Sequence, residues 1–94
     1  MKKIAIVLTL LISSSVHAGN YDFCLRLEAI AKQTMMTRQA GVSASVVYGA
    51  AKGDNLIMSI VKEAYKNPAY DTEKYQQQAV NEFKDEVFIL CMEE

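Results

Sequence analysis

Three groups of side chains in this sequence are of types that do chemistry. They are two cysteines, Cys24 and Cys91, a run of carboxylates, Glu82, Asp85 and Glu86, and the tyrosines Tyr65 and Tyr70 on either side of Pro68. Carboxylates four apart on a helix are the raw material of acid–base work, since one can hold a proton while its neighbour stays charged. Here they share a stretch with Glu73, Lys74, Gln76, Gln77, Asn81 and Lys84, so they read as a solvated helix face. The one histidine, His17, lies before a predicted cleavage point, and the serines beyond it are Ser43, Ser45 and Ser59. Neither a Ser-His nor a Cys-His pair can be assembled from that set. There is no glycine-rich phosphate loop, no calcium-loop spacing around Asp54 and, with both thiols oxidised, no zinc set. The expectation is a protein that is not an enzyme and carries no metal and no cofactor.

The chemistry expected of the cysteines is a disulfide, because residues 1–18 read as an export signal. Met1-Lys2-Lys3 is a basic start, Ile4 to Ile12 an apolar run, and Val16-His17-Ala18 presents small residues where a signal peptidase reads. Cleavage is expected between Ala18 and Gly19. As a helix the apolar run would rise only about 14 Å, less than half a bilayer core, so stable membrane insertion is not expected. Export places Cys24 and Cys91 in an oxidising compartment, the periplasm or the medium, where pairing is the default. A redox-active pair would favour closely spaced cysteines, and these are far apart.

Removing 18 of the 94 residues leaves 76, a single domain over 19–94. Lys2 and Lys3 go with the leader, so ten Lys plus Arg become eight against eleven Asp plus Glu, a net charge near −3. Arg26, Lys32, Arg38, Lys52, Lys62, Lys66, Lys74 and Lys84 do not cluster, which argues against a nucleic-acid partner.

Four segments must position these residues. Tyr21 to Ala40 carries Cys24, Leu27, Ala31 and Met35 at helical spacing, with Asn20 or Asp22 to cap it and Gly41 to stop it. Val42 to Ala51 has Val42, Val46 and Ala50 four apart behind Ser43, and reads as a short helix, since a lone strand would have nothing to pair with. Asp54 caps a helix from Asn55 to about Lys66 with a core face of Leu56, Ile57, Ile60, Val61 and Ala64, ended by Asn67-Pro68. Thr72 to Met92 is the closing helix, with Tyr75, Ala79, Phe83, Val87 and Leu90 predicted as its buried stripe.

A disulfide from the start of the first long helix to the end of the last makes the two antiparallel. The residues between must leave and return at the far end, which two short helices do. The predicted fold is all-α, a small bundle of about four helices. Its far end, the apex, gathers Arg38, Gln39, Gly41, Pro68, Tyr70 and Asp71. Arg38, Gln39, Tyr65 and Tyr70 are the candidate partner-binding residues, the alternative being that Tyr65 packs under the Pro68 turn, Tyr70 plugs the bundle end and Arg38 complements the C-terminus of its helix. Tyrosine supplies a large ring with a polar tip and is enriched at interfaces.

The pattern Phe23-Cys24, Met36-Thr37-Arg38-Gln39-Ala40-Gly41, Ala64-Tyr65-Lys66-Asn67-Pro68, Phe83 and Cys91 resembles that of small exported, single-disulfide helical proteins from bacteria and their phages. The resemblance spans nearly all of the mature chain and carries no activity or site with it. Three roles are consistent with these residues. The first is an envelope interaction protein acting as an inhibitor, accessory or exclusion-type factor on an envelope protein partner, the second a periplasmic stress chaperone or hydrophobic-ligand carrier, and the third an enzyme, which the inventory disfavours.

Protein exported from its full-length precursor and alkylated without reduction is expected to show the mass of residues 19–94 less two hydrogens. Retained leader mass, or two added alkyl groups, would contradict this reading.

Overall fold

The computed structural model describes residues 20–93; the predicted leader and its cleavage point lie outside them. Four helices account for most of the described chain: α1 Tyr21–Gln39, α2 Ala44–Ala51, α3 Asn55–Ala64 and α4 Glu73–Glu93. No strand occurs among the described residues.

Local chemistry sets the helix ends. Asn20 Oδ1 accepts from the Phe23 N–H at 2.9 Å, and Asp54 Oδ1 from the Ile57 N–H at 3.0 Å, so each satisfies an orphan donor of a first turn. Helix α1 stops at Gly41, whose φ of +86° only glycine adopts without strain. The turn is closed by Gly41 N–H to the Arg38 carbonyl and Val42 N–H to the Thr37 carbonyl. Ser43 occupies the N-cap position of α2 but makes no side-chain cap, its Oγ lying 3.3 Å from that of Ser45. Helix α3 ends short of the expected Lys66, because Asn67 precedes Pro68 and the last N–H groups turn back to Glu63 and Ala64.

The core is a seam between α1 and α4 with α3 laid against it. It contains Cys24, Leu27, Ala31 and Met35 from α1, Ile60 and Ala64 from α3, and Val80, Phe83, Val87 and Cys91 from α4. The Cys24–Cys91 disulfide joins the first turn of α1 to the last of α4, with a Cα–Cα distance of 5.6 Å. Near it, Lys84 Nζ reaches Glu28 Oε2 at 3.6 Å, and the Tyr21 and Phe88 rings meet edge to face at 6.0 Å. The long helices therefore run antiparallel.

Two predicted faces sit differently. The stripe on α4 is rotated: Val80 and Cys91 are buried, Ala79 and Leu90 half-buried, and Tyr75, expected in the core, is 52% exposed. The disulfide is the physical reason. Cys91 must face Cys24, and positions 87, 83 and 80 follow it inward, which carries Tyr75 out to solvent. On α2, Val46 is 62% exposed and Ala50 is also exposed, whereas Ala51 is buried. This eight-residue helix packs on α3 and has little opportunity to bury a full face.

Closing a chain separation of 67 residues should stabilise the fold by roughly 4 kcal/mol on the chain-entropy account. In a domain of this size that is a large share of the usual total. Urea unfolding of the Cys24→Ser/Cys91→Ser variant should show a loss of about that size, on the order of 3–4 kcal/mol. A loss below about 1 kcal/mol would mean that side-chain packing alone holds the long helices together.

Candidate functional site

The apex is built by α1 handing its last turn to the segment that returns from α3. Gln39, 92% buried, is the clamp. Its Nε2 donates to the Pro68 carbonyl at 2.9 Å and approaches Met35 Sδ at 3.4 Å, while its Oε1 accepts from the Tyr70 N–H at 2.8 Å. One amide thus satisfies two backbone groups of a turn that has no secondary structure of its own. Beside it, Arg38 Nε donates to the Asn67 carbonyl at 2.8 Å, and its guanidinium lies 5.0 Å from the Tyr65 ring centre. The Tyr65 hydroxyl donates to the Val42 carbonyl at 2.6 Å, which fastens the start of α2 to the end of α3.

The four sequence-predicted apical residues are therefore brought together, with different local roles. Arg38, Gln39 and Tyr65 spend polar groups on the architecture of the turn. Tyr70 is 40% exposed and joined by Tyr75, its ring centre 6.1 Å away at an interplanar angle of 45°. The sequence reading missed Tyr75 by assigning it to the core. Counting back from Cys91 rather than Leu90 would have placed it outside.

Two clefts flank the first turns of α4. One, of about 380 Å³, is lined by Asn67, Tyr70, Tyr75, Gln78, Ala79 and Glu82. The other, of about 210 Å³, lies over Met36, Gln39, Gln77 and Val80. The turn between them is further tied to α4 by Gln76 Nε2 donating to the Tyr70 carbonyl at 2.7 Å.

The carboxylates have unlike surroundings. Glu82 is exposed and accepts from Gln78 Nε2 at 2.9 Å, and Asp85 pairs with Lys84 at 2.9 Å. Glu86 is half-buried with Oε1 enclosed and unpartnered within the protein, and burial pushes its carboxyl above the usual range, with a smaller push from the Glu82 charge. Glu63, which the sequence reading left unassigned, is 1% exposed. Its Oε2 pairs with Lys66 Nζ at 3.0 Å, and its Oε1 has no partner within the protein. Seven after Leu56 and three after Ile60, it shares the inward side of α3. At the opposite end of the molecule Tyr21, Leu25 and Met92 are exposed around the buried disulfide.

No group of three His, Cys, Asp or Glu among the described residues is placed to hold a metal ion. Among those residues, too, no helix is long and apolar enough to cross a membrane. Comparison with family models, curated proteins and solved structures finds no match. At the apex, then, two phenol rings and a carboxylate line one cleft beside a hydrogen-bonded turn.

The clamp can be tested directly. Gln39→Ala strands the Tyr70 N–H and the Pro68 carbonyl, and should cost about 1–3 kcal/mol in urea unfolding while speeding hydrogen exchange at the Tyr70 amide. Unchanged exchange there would show that the turn holds without it.

Proposed function

We propose that this is an exported interaction protein of the cell envelope. Residues 1–18 direct export and are cut between Ala18 and Gly19, and residues 19–94 fold as one domain in the periplasm or outside the cell. There the apex docks on an envelope protein and acts as an inhibitor, accessory or exclusion-type factor, without a catalytic step and without nucleic acid.

The observation that carries this reading is the exposed Tyr70–Tyr75 pair, Tyr70 on a turn whose backbone groups are held by Gln39 and Arg38 and Tyr75 near the start of α4. Large amphipathic rings on a stiff support lose little entropy on binding, which is the economy that interface hot spots share. The disulfide supports the location, because such a bond persists in a non-reducing compartment.

Affinity capture with crosslinking from envelope extracts, using wild type and a Tyr70→Ala/Tyr75→Ala variant, tests the proposal. Both side chains are exposed, so the variant should keep its helicity by circular dichroism while losing the partner that wild type retains. Equal recovery of that partner by both proteins would remove the apex as the docking site.

A further inference from the structure

We infer that the cleft between the 67–70 turn and α4 receives an arginine side chain of the protein partner, a deepening of the docking role that rests on it. The cleft lining contains two tyrosines, one carboxylate and no cationic residue. Tyrosine ring faces are negative, and a cation within about 6 Å of a ring centre is attracted to them. Tyr70 and Tyr75 are tilted by 45° with centres 6.1 Å apart, so two ring faces stand next to each other in one lining. Glu82 stands in the same lining, its Oε2 accepting from Gln78 Nε2 at 2.9 Å, which leaves Oε1 available to a further donor.

Cations already lie against rings three times among the described residues. Arg38 is 5.0 Å from the Tyr65 ring centre, Arg26 6.0 Å from that of Phe23 and Lys74 Nζ 6.0 Å from that of Tyr75, so an incoming arginine displaces the exposed Lys74 side chain or uses Tyr70. Ring plus carboxylate selects arginine over other cations. A guanidinium can lie flat on a phenol and still offer N–H groups in its plane to a carboxylate, whereas a lysine ammonium is a compact, strongly hydrated charge. A quaternary ammonium would use the rings but has no N–H for Glu82. The net charge near −3 of residues 19–94 favours approach of a basic partner as well.

The test uses oxidised, isotope-labelled protein exported from its full-length precursor, titrated with a capped Gly-Arg-Gly peptide and followed by amide chemical shifts. Saturable shifts are expected at Tyr70, Tyr75, Gln78 and Glu82. The citrulline counterpart, isosteric but uncharged, should not saturate, and the lysine peptide and choline should bind more weakly. Tyr75→Ala and Glu82→Gln should each weaken the arginine peptide about tenfold, the scale of one good charged contact. Glu93→Gln, which removes the same charge elsewhere, should leave it unchanged. Absence of saturation at tens of millimolar peptide, equal response to citrulline, or tighter binding of choline would overturn the arginine assignment. If the peptide fails while the Tyr70→Ala/Tyr75→Ala variant still loses its captured partner, the arginine site falls and the docking surface stands. If the peptide saturates while that variant keeps the partner, the cleft stands and the docking role falls.

Discussion

The structure depends on one covalent constraint, the bond from Cys24 at the start of α1 to Cys91 at the end of α4. It does more than shorten the unfolded chain. Both cysteines are fully buried, so the bond determines which side of each long helix turns inward. From Cys24 the inward row runs to Leu27, Ala31 and Met35, and from Cys91 it runs back to Val87, Phe83 and Val80. A seam assembled from these residues is narrow, and its apolar side chains are modest in size apart from Phe83 and Met35. That is the circumstance in which a small domain benefits most from a cross-link.

A consequence appears at the other end of the seam. With the helices pinned together at one end, α1 and α4 are held side by side at the apex, and the chain leaving α3 must cross the gap between them over residues 65–72. An irregular segment at a helix junction has backbone groups that water or side chains must satisfy. Gln39 and Arg38 supply them from α1, and Gln76 from α4. The turn is thereby fastened to both long helices, with Tyr70 beside Tyr75. Arg38 and Gln39, which the sequence alone offers as candidate binding residues, are thus engaged in holding the turn, while the exposed rings are those of Tyr70 and Tyr75.

Much of the fold could be read from the chain because its signals are local. Asn20, Gly41, Asp54 and Pro68 each act on the few residues next to them; the first three start or end a helix where expected, and the helix before Pro68 stops at Ala64, two residues early. The apical gathering of Arg38, Gln39, Tyr65 and Tyr70 was also legible, since it follows from helix lengths and the cysteine positions. The azimuth of α4 was not. Tyr75, Ala79, Phe83, Val87 and Leu90 form a respectable apolar stripe on their own, and so do Val80, Phe83, Val87 and Cys91. The two differ by a rotation that periodicity cannot resolve, and Tyr75 changes from core to surface with it.

The sequence by itself determined the all-helical class, most of the helix ends and the pairing of its two cysteines, because these are consequences of residue type and short-range geometry. Only the tertiary structure decided that Glu63 lies buried with one oxygen unpartnered, that Gln39 bridges Pro68 and Tyr70, and that Tyr75 is exposed beside Tyr70 in a cleft lining. Each of those outcomes turns on which helix faces which at separations of some thirty residues or more, or on how a helix is rotated about its own axis. A single pattern of apolar spacing is compatible with more than one such rotation, and the packing of the assembled helices selects between them.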